Sequence, residues 1–190
     1  MIKTCESKLG RLRQGDIIQN VEYLEYTKES NGVIEVSKIV FPYVIILTQD
    51  CDLLQDYNYR NIEKNNEDKY LLSVLVAPLY NYEHVCDGNH LTNLGINSST
   101  IDRKRTSGKR LRQNQTPRYH YLEFESGSPL VPSVIDFKHY FAVSVEHMNE
   151  CKEKYFVCSV TELYREDILQ RFASFLSRIG LPELSSETNI

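Results

Sequence analysis

Apolar residues come in short runs separated by polar turns, and most runs carry the two-residue period of a strand rather than the 3.6-residue period of a helix. Gly15-Asp16 opens the first run, and Ile17, Ile18, Val21, Tyr23 and Leu24 supply its apolar positions. Asn31-Gly32 is a hairpin signal, because both residues tolerate positive φ. Residues 33–40 alternate, with Val33, Glu35, Ser37 and Ile39 on one face and Ile34, Val36, Lys38 and Val40 on the other. A strand follows at 43–48, then a helical turn from Asp50, a polar loop over 58–68 and a central strand over 70–79. Residues 81–117 show little apolar periodicity and predict a long excursion with one short helix near 82–85. Strands are expected again at 119–124, 131–137, 141–146 and 155–160.

The last element has a different rhythm. Ile168, Leu169, Phe172, Phe175, Leu176 and Ile179 recur at helical spacing. Glu162, Glu166 and Asp167 load its first turns, and Gly180 and Pro182 end it. The expected architecture is a β-rich α+β domain over 1–184, built as a compact antiparallel barrel or curled sheet with helices added. Its core spans about 14–80 and 119–160, a basic loop covers 98–118, an amphipathic helix packs on it over 162–179, and a frayed tail covers 185–190.

Composition adds two constraints. The 190 residues include 13 Tyr and no Trp, which suits β-structure. Five Cys form no CxxC pair, which fits reduced thiols and a cytoplasmic protein, and no apolar run is long enough to span a bilayer. No membrane partner is expected. The net charge of -4 hides an asymmetry. Arg103, Lys104, Arg105, Lys109, Arg110, Arg112 and Arg118 lie in one acid-free run, seven of the chain's 22 basic residues. The remaining 15 face 26 acidic residues elsewhere. Basic side chains interleaved with Thr, Ser, Asn and Gln suit a phosphate backbone, and Tyr119 and Tyr121 just downstream are candidates to stack bases. RNA or DNA is the expected partner, with an acidic protein surface or a solvated loop as alternatives.

Candidate chemistry lies at the end of the apolar run, in Thr48-Gln49-Asp50-Cys51-Asp52. One reading makes Cys51 a nucleophile or Asp50 and Asp52 an acid–base or metal pair, with His120 or Arg118 in support. The other has the carboxylates cap backbone amides while Cys51 fills space. His84, Cys86 and His90 have ligand chemistry, but their spacing lacks the tight pairs of a zinc site, and no structural metal is expected. No cofactor is expected either, because no P-loop, GxGxxG, HExxH or GxSxG pattern occurs.

Three motifs in residues 14–80 carry a resemblance. These are Gly15-Asp16-Ile17-Ile18, the Pro-led strand Pro42-Tyr43-Val44-Ile45-Ile46-Leu47-Thr48, and Leu75-Val76-Ala77-Pro78-Leu79. In this region the chain resembles the MazF/PemK-type toxins, small SH3-like barrels that cut RNA. The resemblance implies an SH3-like barrel and a nucleic-acid-binding protein of a bacterial toxin-antitoxin or phage-defence system, with a protein partner encoded nearby. Phe41 stands where that family places a catalytic Arg, and Tyr80 where it places Thr or Ser, so the resemblance implies a catalytically degenerate barrel. The alternatives are an endoribonuclease-type phosphodiesterase acting through residues 48–52, and a protein-interaction module using the acidic face.

Overall fold

The structure, a computed structural model, describes residues 2, 4–5, 10–60, 62 and 68–178. Eight strands and five α-helices follow one another along these residues. They are β1 (Thr4–Cys5), β2 (Asp16–Ser30), β3 (Val33–Ile46), α1 (Asp50–Tyr59), β4 (Ser73–Asn81), α2 (Tyr82–Asp87), α3 (Thr106–Arg112), β5 (Tyr119–Leu122), β6 (Ser133–Asp136), β7 (Phe141–Ser144), α4 (Val145–Tyr155), β8 (Phe156–Val160) and α5 (Glu162–Leu176). The strands form one curled sheet in the order β1-β8-β2-β3-β4-β6-β5, with β7 also paired to β4. Every strand pair in it is antiparallel. The protein is thus a β-rich α+β fold, as the period-2 runs predict.

The two ends of the sheet meet. Ile2, beside β1, bridges Phe124, beside β5. Its amide donates to the Glu123 carbonyl at 2.6 Å, and the Glu125 amide donates back to the Ile2 carbonyl at 3.3 Å. Side chains from around the sheet fill the space so enclosed, among them Ile17, Ile45, Ala77, Leu122, Ile135 and Cys158, and Ile168 and Phe172 of α5 join them.

A second apolar layer lies on the outside of the same strands. Ile18, Val44, Ile46 and Val76 pack there against Leu53 of α1, Val143 of β7, and Met148 and Cys151 of α4. Strands buried on both faces lose their alternation and read as continuous apolar runs. That is why residues 44–47 show no polar position. α4 is anchored by a buried ion pair, with Lys152 Nζ 2.7 Å from Asp16. The Ser159 hydroxyl and the Arg13 amide also donate to Asp16, and Lys152 reaches the Arg11 carbonyl, so both charges are fully engaged.

β2 and β3 continue past the sheet as a free two-stranded ribbon. Ile17 to Leu24 pairs in register with Ile45 to Lys38, except at Asn20 opposite Pro42. Pro42 has no N–H to give the ladder, and Asn20 sits at φ 54°, in the left-handed region. The ribbon turns at this point, and Val21 and Phe41 join the outer cluster with Ile18 and Val44. Asn31 and Gly32, at φ 52° and 76°, close the hairpin as expected.

Three elements depart from the sequence reading. The expected strand at 141–146 gives way at Val145 to helix α4, capped by the Ser144 hydroxyl accepting from the His147 amide at 3.3 Å. The excursion at 81–117 is a packed layer, not an open loop: α2 and α3 bury Tyr82, Val85, Cys86 and Leu111 against Val134 of β6. The helical turn after Asp50 extends to a ten-residue helix. Helix α5 runs to Leu176. The expected end of that helix at Ile179, its stop at Gly180 and Pro182, and the tail from Ser185 lie outside the described residues.

Candidate functional site

The basic run is not a mobile strap. Gly108 lets α3 lie directly on the turn before it, since a Cβ there would meet the Arg103 Cα at 2.6 Å and the Asp102 carbonyl oxygen at 2.6 Å. Leu111 drives the other face of α3 into the α2–β6 cluster. The Asn114 carboxamide then ties the segment to β5, accepting from the Tyr121 amide at 2.5 Å and donating to the Tyr121 carbonyl at 3.2 Å.

This packing splits the seven cations into two groups. Arg103 lies against α2, 2.7 Å from Asp87 and 2.8 Å from Glu83. Arg118 forms a two-pronged pair with the buried Asp136, at 2.8 and 2.5 Å. Hydrogen bonding to that carboxylate raises the Arg118 pKa further, and the group is fixed as a structural cation. The other five, Lys104, Arg105, Lys109, Arg110 and Arg112, are exposed on one corner of the molecule. Arg105 pairs with Asp102 at 3.2 Å. Among the described residues no carboxylate forms a salt bridge with Lys104, Lys109, Arg110 or Arg112. Lys109, Arg110 and Arg112 occupy the last turn of α3, where the helix dipole favours positive charge.

Tyr119 and Tyr121 are placed differently from free stacking platforms. Both pack partly buried against the α2–α3 layer. Tyr121 meets Tyr82 edge-on at 5.1 Å, and the Arg118 guanidinium lies 4.9 Å from the Tyr119 ring centre. Burial raises the pKa of each phenol and pushes that of Tyr82 up to about 12.

The turn at residues 48–52 sits elsewhere. The Thr48 hydroxyl accepts from the Leu75 amide at 2.7 Å and joins β3 to β4. Asp50 begins α1 and meets Arg11 through two hydrogen bonds, at 3.1 and 2.9 Å. It also accepts from the Gln14 amide at 3.3 Å, and Arg165 of α5 stands 3.8 Å away. Burial works to raise the Asp50 pKa, but Arg11, Arg165 and the Gln14 amide outweigh it and leave the carboxyl below its ordinary range. Asp50 is therefore a charged strut joining the 11–14 turn, α1 and α5. Cys51 and Asp52 are exposed, and the Cys51 thiol finds only Gln49 at 3.5 Å and Asp52 at 3.6 Å among the described residues.

His120 does not join them. It is buried on β5 beside Phe137, with Nε2 3.9 Å from Asp167, while Asp50 meets α5 at Arg165. Its Nδ1 has no hydrogen-bond partner among the described residues. Burial, with Arg171 nearby, pulls its pKa down to about 3, so the ring is neutral at pH 7. Nor do His84, Cys86 and His90 converge. Cys86 points into the Leu111–Val134 cluster, and His90 meets Tyr80 edge-on at 4.9 Å. Among the described residues no group of three or more His, Cys, Asp or Glu could hold a metal ion.

Sequence reasoning passed over a polar network at the end of β6. The buried carboxylate of Asp136, besides holding Arg118, accepts from the Lys138 amide at 3.0 Å and lies 3.4 Å from His139 Nδ1. The Tyr80 hydroxyl lies 3.1 Å from the same nitrogen. Burial lowers the His139 pKa, opposed by Asp136 and aided by Arg118 and Lys138. Burial also raises the Tyr80 pKa. The signal in the sequence is Asp136-Phe137-Lys138-His139, an acid and a histidine three apart after an apolar strand.

No family model, no curated protein and no solved structure matches this chain. No helix among the described residues is long and apolar enough to cross a membrane.

Proposed function

We propose that this is a nucleic-acid-binding barrel protein that holds a phosphodiester backbone on the α3 corner. The observation carrying this reading is the group of exposed cations at Lys104, Arg105, Lys109, Arg110 and Arg112, most of them without a carboxylate partner among the described residues, on a helix and the turn leading into it, both fixed by packing. A fixed row of cations with Thr106, Ser107, Gln113 and Gln115 beside it offers both charge and neutral donors to phosphate. The acidic remainder of the chain would repel phosphate and confine contact to this corner. The short motifs shared with MazF/PemK-type toxins support placing the protein in a bacterial toxin-antitoxin or phage-defence system. Phe41 and Tyr80, at the positions of that family's catalytic groups, support binding without cleavage.

The test is a salt titration of binding to generic RNA and DNA, both single- and double-stranded. The wild type is compared with a variant carrying Gln at positions 104, 105, 109, 110 and 112. Arg103 and Arg118 stay, because they hold α2 and Asp136. The variant should bind far more weakly, and its log–log salt slope should be shallower by roughly 0.7–0.9 for each phosphate it no longer neutralises. Equal affinity and equal slope in the two proteins would remove the nucleic-acid reading.

A further inference from the structure

The Tyr80–His139 pair forms part of the wall of a two-lobed groove beneath the bend of the ribbon. One lobe encloses about 410 Å³ and the other about 250 Å³, and both are lined by Ile39, Phe41, Tyr80 and Leu94. Leu94, on the loop after α2, and Tyr80, on β4, therefore form a neck between the two lobes. Their combined size falls in the range of pockets that hold small organic ligands.

The lining has a definite chemistry. Aromatic rings face both lobes, with Tyr43 in the larger and Tyr23, Tyr140 and Phe141 in the smaller. Uncharged polar side chains edge the larger lobe at Asn81, Asn93 and Ser133, with the His84 imidazole beside them. Among the described residues no Asp or Glu lines either lobe, although the chain carries 26 of them. Lys138 is the one lysine or arginine there, and no carboxylate forms a salt bridge with it among the described residues. His139 and His90 have pKa values lowered chiefly by burial, so they present neutral rings near pH 7. Rings with offset or edge contacts select a flat aromatic guest. A lone cation without a competing carboxylate selects a negative group at one end.

We propose that this groove binds a small planar aromatic molecule carrying an anionic group, with the ring among Phe41, Tyr43 and Tyr80 and the anion toward Lys138. A nucleoside monophosphate and an aromatic carboxylic acid share this chemistry. The site does not depend on the α3 corner, which contributes none of its lining.

Calorimetric titration with the four ribonucleoside 5′-monophosphates, their parent nucleosides, indole-3-acetate and indole separates these sources. At least one anionic probe should bind, and its uncharged parent should bind about tenfold more weakly, the worth of one charge-assisted contact. Lys138→Ala should abolish that difference, and Leu94→Trp, which fills the neck, should cost at least tenfold. Asn93→Trp, at an exposed position on the larger lobe, repeats the blockade without touching the neck if Leu94→Trp fails to fold. The α3 charge variant should bind the probes as the wild type does, so a failure here and a failure of nucleic-acid binding read out separately. Absence of binding by every probe would overturn the proposal. So would binding that survives both groove-filling variants, or equal affinity for charged and uncharged partners.

Discussion

His120 is a basic side chain stored without its charge. Its ring is almost wholly enclosed, one nitrogen lacks a partner among the described residues, and burial depresses its pKa to about 3. In the unfolded chain the same ring titrates near pH 6.5. Between these values the unfolded state binds the proton and the folded state refuses it, so stability rises with pH across this window. The contribution is complete above about pH 6.5 and is lost as the pH falls toward 3. At pH 5 the loss attributable to this residue should be about 2 kcal/mol. Lowered pKa values at His90 and His139 act with the same sign. Urea unfolding of the wild type and His120→Leu at pH 7.5 and pH 5 isolates this contribution. The variant should lose less stability on acidification, and parallel losses in the two proteins would show that His120 is charged in the fold.

At the scale of elements, α3 shows how local propensity yields to packing. Alanine is favoured over glycine inside a helix by roughly 0.5–1 kcal/mol. At position 108 the sign should reverse, because the new Cβ would press on backbone atoms of residues 102 and 103 that cannot move aside freely. Gly108→Ala should destabilise the α2–α3 layer by about 1–3 kcal/mol. Hydrogen exchange should show this as faster exchange at α2 and α3 amides with little change at β2 and β3. Uniform loss of protection, or a gain, would mean that α3 does not sit on that turn.

The same elements show what the sequence makes legible. The hairpin at Asn31-Gly32 and the helix led by Ile168 and Phe172 are legible, because turn chemistry and periodicity are local. Helix α4 is not. Its buried positions are Val145, Met148, Cys151 and Lys152, and a lysine in the buried stripe hides the period. Its reason for burial, Asp16, is 136 residues away in the chain. Helices α2 and α3, of six and seven residues, are too short for a periodic signal and are held by packing on β5 and β6. The site divides in the same way. The charge of residues 103–118 is plain in the sequence. The capture of Arg118 by Asp136 and of Arg103 by Glu83 and Asp87 depends on pairing across strands and helices that composition does not contain.

At the scale of the molecule, one seam decides whether the curled sheet behaves as a closed barrel. Every other junction is a ladder of two or more paired residues, whereas among the described residues β1 and β5 are joined only through the bridge between Ile2 and Phe124. The seam holds because Ile2 is buried and packs into the inner apolar cluster of the sheet with Phe124 and Leu122. Ile2→Ala removes that apolar packing and leaves both backbone hydrogen bonds possible. It should cost about 2–4 kcal/mol, at the lower end of core truncations because the site lies at an edge that can relax. Ile2→Val should cost only about 0.5–1.5 kcal/mol. Exchange at the Glu125 amide, which donates to the Ile2 carbonyl, should speed up in the alanine variant more than at the Val44 and Ile45 amides in the wall between the two apolar layers. That ordering follows from geometry, since opening the seam exposes the β5 edge first while β2, β3 and β4 stay sandwiched. If Ile2→Ala unfolds at the wild-type urea midpoint and Glu125 exchanges unchanged, the sheet is an open one whose interior is sealed by α5 alone.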